Sequence, residues 1–451
     1  MKRLINYKPG AETSLNTLII LSVLPVITDS EISERSLESR EAECSSLAKA
    51  INLNVVHTEI ARLKNPKVST LIGAGKLSEI EELIKTYEIK LIIIDNPLTA
   101  IQQRNLERKL DTKVIDRTAL ILEIFSKRAR TREGRLQVEL ASLTYQRSRL
   151  VRSWTHLERQ RGGFGFVGGP GETQIESDRR QIDERIKRIK KLLLQVVKTR
   201  SLHRKSRQRV PYPVVALVGY TNTGKSTLFN KLTGASVISA DQLFATLDPT
   251  MRTLKLPSGS IVILSDTVGF ISKLPHDLVT AFSATLEEVV TADLIIHVRD
   301  ISHSDSNKQH QDVMRVLNDL NATEHFTTEK IIEVFNKIDC LTPQKKVTLN
   351  EKQLNTSSSK ELLVSAKTGE GLQKLVDEIQ KRLQKSSEII TARAPITNGA
   401  AQAWLHQRGE VLNTYNNEEF AWLRVRLPRA DVARAKSHKG IKIVAQEYNK
   451  T

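Results

Sequence analysis

The residues best equipped for chemistry stand in one run, VVALVGYTNTGKSTLFNKL. Gly219 and Gly224 bracket Tyr220, Thr221, Asn222 and Thr223, and Lys225 and Ser226 follow at once. Glycine lets backbone wrap an anion closely, and successive N–H groups at a helix N-terminus bind phosphate. At this spacing Lys225 reaches the β- and γ-phosphates, and the Ser226 hydroxyl is placed to ligate Mg²⁺. The apolar strand Val214 to Val218 before the loop and the helical pattern after it are the setting such a loop requires.

Three more strings follow in order, each after an apolar run. SIVILSDTVGF ends a strand at Asp266, followed by Thr267, Val268 and Gly269. Asp266 suits the Mg²⁺ shell and the Gly269 N–H suits the γ-phosphate. IIEVFNKID supplies Asn336, Lys337, Ile338 and Asp339. A carboxylate at Asp339 can accept from both N1–H and the N2 amine of guanine, and adenine has no such donor pair. LLVSAKTGEG supplies Ser365, Ala366 and Lys367, whose backbone would meet guanine O6. Together the strings predict a GTP-hydrolysing domain, with Lys225 and Gly269 among its catalytic groups. Asp300, ending IIHVRD, reads as a cap for the loop after it.

Strands and helices must position these groups, and their alternation predicts an α/β fold. Residues 1–126 read as an N-terminal α/β subdomain, with NTLIILSVL, NVVHTEI and KLIIIDN as strands. Residues 127–210 read as a basic helical hairpin, with Leu136, Leu140, Leu143 and Leu150, then Ile182, Ile186, Ile189, Leu193 and Val197, at helical spacing. Residues 211–385 form the GTPase domain, a doubly wound, mostly parallel sheet. Residues 394–451 form a small C-terminal α+β region in which FAWLRVRLP is a strand ahead of a basic tail.

Composition bounds the partners. Net charge is +18, yet Lys127 to Arg209 holds 23 Lys/Arg against 8 Asp/Glu, so one segment carries most of the excess. That points to a polyanion-binding surface. The two cysteines, Cys44 and Cys340, exclude a zinc finger or a disulfide framework and fit a reducing cytoplasm. The apolar run from Leu15 to Ile27 is too short to span a bilayer, and no cleavage site follows it. Peripheral membrane association is left open, a monomer is expected, and DNA is not an expected partner.

The stretch RGGFGFVGGPG contains a GxGxxG string, but a dinucleotide turn needs a buried strand feeding it. WTHLERQR before it is charged and helical, so that reading fails. Six glycines and two phenylalanines between basic helices suit RNA instead. Backbone at Gly163, Gly165 and Gly168 can approach closely, Phe164 and Phe166 can stack on unpaired bases, and Arg161 can meet phosphate. The competing reading is a disordered linker over 162–171.

The order of motifs, with LFATLDPT ahead of DTVGF, resembles the HflX GTPases of the translation-factor-related class. The resemblance covers nearly the whole chain and includes QRNLERKL, VIDRTALILEIFSKRARTREGRLQVELA and GGFGFVGGPGETQIESDRR. It implies that FATLD (Phe244, Ala245, Thr246, Leu247 and Asp248) lies at the nucleotide, with Thr246 the switch threonine that meets Mg²⁺. Read from the residues alone, Thr250 and Thr253 compete for that role. It further implies binding to the large ribosomal subunit and its RNA, and splitting or rescue of stalled or idle ribosomes under stress. Asn222 matches an asparagine that some related GTPases use to hold K⁺, and whether it does so or only braces the loop stays open. Phe270 stands where many small GTPases place a water-orienting glutamine, so slow intrinsic hydrolysis is expected.

Two other classes compete. An RNA-remodelling NTPase would carry a second, ATP-binding site in the N-terminal part, whereas Asn336 to Asp339 favour guanine at the main site. A non-enzymatic RNA scaffold conflicts with the intact Lys225, Ser226 and Asp266.

Overall fold

Continuous apolar runs, which suit strands buried on both faces, build two parallel sheets. The computed structural model describes residues 14–23, 35–160, 170–207, 212–235, 244, 250–272, 288–319, 330–346, 349, 361–385, 387–438 and 440–444. Strands β1 (Asn16–Val23), β2 (Asn54–Arg62), β3 (Leu91–Ile94) and β4 (Lys113–Asp116) form the first sheet, all parallel, in the order β2-β1-β3-β4. Helices α1 (Leu37–Ala50) and α4 (Arg117–Arg128) cover one face through Cys44, Leu47, Leu120 and Ile124. Helices α2 (Ala74–Thr86) and α3 (Ala100–Leu110) cover the other through Leu77, Ile80, Leu106 and Leu110. Thr99 and Gln102 close a capping box at the start of α3, and Asp116 caps α4 by accepting from the Ala119 N–H at 2.8 Å.

Two long helices follow, α5 (Arg132–Gln160) and α6 (Pro170–Arg207). Arg185 pairs with Glu139 and Arg147 with Asp183, each at 2.8 Å, so the two run antiparallel. Ile186 and Ile189 are buried. Helix α6 begins at Pro170, inside the stretch expected as loop, because proline needs no N–H in a first helical turn. Arg149 holds α5 to the first sheet through the Asp116 carboxylate at 2.6 Å, and Tyr145 donates to the same group at 2.8 Å.

The central sheet comprises β5 (Val214–Val218), β6 (Thr250–Lys255), β7 (Ile261–Asp266), β8 (Leu294–Asp300), β9 (Ile331–Asn336) and β10 (Glu361–Leu363). Its order is β10-β9-β8-β5-β7-β6, parallel except for the edge strand β6. Helix α7 (Lys225–Thr233) and the helix Leu372–Lys385 pack on one face. The helix Ser306–Asp319 and the first sheet's α1–α4 side close the other in one shared core.

The third sheet is antiparallel, β11 (Ser387–Pro395), β12 (Glu410–Asn416), β13 (Phe420–Pro428) and β14 (Lys442–Val444), ordered β12-β13-β11-β14. It begins at Ser387 rather than near residue 394, because β11 pairs with β13 along its length, from Ser387 opposite Pro428 to Pro395 opposite Phe420. The expected basic tail contains a further helix, Arg429–Ser437, before β14. No helix among the described residues is long and apolar enough to cross a membrane.

Candidate nucleotide-binding site

In an open α/β sheet, ligands lie beyond the carboxyl ends of the strands where the winding direction reverses. Here that point is β5, between β7 and β8, and the loop Gly219 to Ser226 leaves it there. Gly219 could not be larger, since a Cβ there would lie 2.2 Å from the Val298 carbonyl oxygen. Gly224 starts α7 at φ 89°, and a Cβ there would meet the Asn336 amide at 2.4 Å.

Within the loop, the buried Lys225 amine donates to the carbonyls of Gly219 at 3.0 Å and Tyr220 at 2.7 Å. Burial lowers its pKa to about 8, partly offset by Asp266. Thr223 is buried and donates to the Tyr220 carbonyl at 3.0 Å. The buried Thr221 sends its N–H to the Phe270 carbonyl at 2.7 Å. Asn222 is exposed at the tip, with φ 60°. Ser226 Oγ donates to Asp266 Oδ2 at 2.7 Å, which puts a hydroxyl and a carboxylate side by side at the end of β7.

After Asp266, the Thr267 hydroxyl donates to the Leu217 carbonyl at 2.6 Å, and Val268 joins the core. Gly269 is tight: a Cβ would lie 2.8 Å from Thr221 Cγ2 and 3.1 Å from Lys225 Nζ. Phe270 is buried in the core shared with the first sheet, which removes its ring from any part in orienting water.

The guanine-type strings meet the loop through one amide. Asn336 Nδ2 donates to the Thr223 carbonyl at 2.7 Å, and its Oδ1 accepts from the Ala366 N–H at 2.9 Å. Ser365 Oγ donates to Asp339 Oδ1 at 2.6 Å, and that hydrogen bond holds the carboxyl below its usual pKa. Asp339 is therefore ionised and acceptor-only at neutral pH, as two guanine donors require. Ile338 is buried, Lys367 is exposed, and Lys337, at φ 65°, reaches Asp300 at 2.8 Å. Asp300 also caps its own loop by accepting from Ser302 N at 3.0 Å and Ser302 Oγ at 2.6 Å.

Two groups of expected site residues lie outside the described residues: Ala245, Thr246, Leu247 and Asp248, and the stretch holding Arg161, Gly163, Phe164, Gly165, Phe166 and Gly168. Phe244 is described and buried, packed edge-on against Phe125 of α4 with centroids 4.6 Å apart. Tyr220 differs from expectation in where its side chain goes. Its backbone belongs to the loop, but its hydroxyl joins Arg35 and Glu43 of the N-terminal part. Sequence reasoning missed both partners, and no local pattern flags them, because Glu43 lies 177 residues before Tyr220.

A cluster of His297, His310 and Glu333 lies on β8, β9 and the helix Ser306–Asp319. Burial pushes His297 down to about 3, so its ring is neutral. Arg299 already holds the Glu333 carboxylate at 3.1 Å, and a fixed guanidinium there opposes a dication. The cluster reads as a stacked histidine pair, His297 buried and His310 half-buried, with centroids 5.1 Å apart.

Three family descriptions match the chain in succession. They are GTP-binding GTPase N-terminal over residues 38–126, GTP-binding GTPase Middle Region over 128–207, and 50S ribosome-binding GTPase over 214–337. A GTPase HflX from Magnetococcus marinus is 48% identical over 392 residues, covering 87% of this chain and 89% of its own length. The chain belongs to the HflX family of GTPases. A second HflX, from Caldanaerobacter subterraneus subsp. tengcongensis, is 44% identical over 391 residues, 87% of each chain. Among solved structures, the chain is similar to the crystal structure of the SsGBP and GDP complex, at 27% identity and TM-score 0.46, over 82% of this chain and 99% of that one. Membership in the HflX family makes GTP hydrolysis the activity of this chain.

Proposed function

We propose that this HflX GTPase is a GTP-driven switch that docks on the large ribosomal subunit and splits or rescues stalled or idle ribosomes under stress. What carries the reading is the meeting of Lys225, the Ser226–Asp266 pair, Gly269 and the Asp339–Ser365 pair on one rim of one sheet. It lies in a chain whose central region matches a description of ribosome-binding GTPases and whose α5–α6 pair is basic.

In this reading the loop N–H groups and Lys225 hold the β- and γ-phosphates, Asp339 selects guanine, and the Gly269 N–H reads the γ-phosphate. Ser226, Asp266 and Thr246 would hold Mg²⁺. The adjoining hydroxyl and carboxylate oxygens at 2.7 Å are the hard donors that ion takes, so the residues fit it. When bound, Mg²⁺ neutralises charge developing between the β- and γ-phosphate oxygens. Asn222 is the candidate K⁺ ligand, and exchanging K⁺ for Na⁺ lowers turnover if it serves so. With Phe270 buried, the chain offers no side chain there to orient water, so intrinsic hydrolysis is slow until the ribosome completes the site. The glycine loop, with Arg161, Gly163, Phe164, Gly165, Phe166 and Gly168, is the proposed ribosomal-RNA contact.

The alternative with an ATP site in the N-terminal part finds less support. Arg40 joins Asp95 at 2.8 Å and the Ser22 carbonyl at 2.9 Å, Arg117 joins Asp95 at 2.8 Å, and Arg149 joins Asp116. Those ion pairs fill the strand ends where a nucleotide would sit. The test is GTP and ATP turnover by the purified chain with and without isolated large subunits. A sharp rise in GTP turnover with subunits is expected; subunits without effect would defeat the ribosomal half of the reading.

A further inference from the structure

Helices cover one face of the third sheet. The chain runs β11, the helix Gly399–Arg408, β12, β13, the helix Arg429–Ser437 and β14. Ile390, Ala392, Leu423 and Val425 share a core with Leu405 and Ala435 of those helices. Alternation therefore turns Thr391 and Arg393 of β11, and Phe420, Trp422, Arg424 and Arg426 of β13, to the opposite face. The outward face of an antiparallel sheet is ordinarily polar, and this one carries aromatic rings among cations.

The pairing registers set these side chains in rows. Tyr415 of β12 stands opposite Trp422, Trp422 opposite Arg393, and Arg393 opposite Lys442 of β14, so one row crosses all four strands. The next row is Asn413, Arg424, Thr391 and Val444. The Arg393 guanidinium lies 4.3 Å from the Phe420 centroid and 5.6 Å from that of Trp422, which joins the rings into one layer. Tyr415 is 46% exposed. Among the described residues of this face, Arg393, Arg424, Arg426 and Lys442 stand against one carboxylate, Glu410. Glu410 holds Arg426 at 2.7 Å and meets Ser260 of the turn between β6 and β7 at 3.0 Å, at the end of the sheet away from the rings. Glu418 and Glu419 lie in the turn beyond the other end.

We propose that this face binds single-stranded RNA, stacking about two or three unpaired bases on Tyr415, Trp422 and the Arg393–Phe420 layer while Arg424 and Lys442 meet phosphates. The strand order β12-β13-β11-β14, with both helices behind it, is the frame on which RNA-recognition modules present aromatic side chains. Here β13 supplies both rings of the central strands, and β11 supplies an arginine, whose planar guanidinium also stacks on a base. Three strand spacings make about 14 Å, wide enough for such a run. Duplex RNA is excluded, because its bases are already stacked on one another. The site is separate from the glycine loop proposed above as a ribosomal-RNA contact, and stands or falls without it.

The test reads the emission of Trp422 in the full chain. Trp154→Phe first removes the tryptophan of α5, the helix leading to the glycine loop, and Trp404 lies on the helix Gly399–Arg408, behind the sheet. In that chain an oligouridylate of about twelve residues is expected to quench emission saturably. Adding Trp422→Phe should abolish the quench, and adding Tyr415→Ala should raise its midpoint about fivefold, with GDP affinity unchanged in both. No saturable quench, or an equal one with duplex RNA of the same length, would overturn the proposal. So would a Tyr415→Ala chain weakened towards large subunits but not towards the oligonucleotide, since the face would then dock protein. Tyr415→Ala alters an exposed side chain on an edge strand, so it is read alone should Trp422→Phe fail to fold.

Discussion

One side-chain amide, that of Asn336, joins the phosphate loop to the loop after β10, donating to Thr223 at 2.7 Å and accepting from Ala366 at 2.9 Å. The segments proposed for base recognition and for phosphate binding are thus parts of one hydrogen-bonded piece. Removing the amide leaves a buried carbonyl and a buried N–H without a partner, at a cost of about 1–3 kcal/mol each. Asn336→Ala is therefore expected to lower the denaturation midpoint of the nucleotide-free chain as well as GDP affinity. A normal midpoint with lost affinity would mean the amide serves the nucleotide alone.

Asp339 is held ionised by the Ser365 hydroxyl at 2.6 Å. Its replacement by asparagine exchanges one acceptor oxygen for a donor amine. One hydrogen bond to guanine becomes a donor–donor contact and the other loses its charge assistance, so guanine-nucleotide affinity should fall by about two to four orders of magnitude. A purine with a carbonyl at C2 gains what guanine loses, and competition between GDP and xanthosine diphosphate reads both effects. Because the Asp339 carboxyl titrates below its usual range, wild-type GDP affinity should show no loss attributable to it down to about pH 5.

Lys225 makes the opposite end of the pH range informative. Its pKa of about 8 in the free chain reflects burial, and a bound phosphate would raise it. Above pH 8 the complex then carries a proton that the free chain lacks. Affinity for GDP should decline with rising pH, by up to about tenfold per unit, and binding should take up a proton. Titration calorimetry in buffers of different ionisation heat measures that uptake. The stability of the nucleotide-free chain should move the other way, rising from pH 8 towards the ordinary lysine pKa, because the unfolded chain binds the extra proton there. Affinity that is level from pH 7 to 9.5 would contradict the assignment.

Much of the site was legible because its signals are local. Asp266 and Asn336 end strands, and Gly219 follows one, as the apolar runs ahead of them require. Serine and aspartate at Ser365 and Asp339 were placed by motif, yet the hydrogen bond between them depends on how β9 and β10 align. Tyr220 shows the limit most plainly. Its type and position fit a loop residue, while its partners are Glu43 of α1 and Arg35, two residues ahead of that helix, and only packing of two sheets brings them together. The start of the third sheet was misplaced for a similar reason. Ile390, Ala392 and Ala394 of SEIITARAP alternate inward, but alternation names no partner, and the pairing of β11 with β13 is what assigns the strand to this sheet.

The core shared by the first and central sheets bears on how the chain comes apart. Leu47, Phe125, Val218, Phe244, Phe270 and Val313 belong to one continuous apolar cluster, whereas Leu405, Leu423 and Leu427 of the third sheet belong to another. Elements that share buried surface melt together, and elements with their own core can melt alone. Calorimetry should accordingly resolve two transitions in a chain whose described residues form three sheets. The larger would couple loss of the nucleotide loops to loss of the N-terminal strands, so a lesion in either half would be felt as a lowered melting temperature of both.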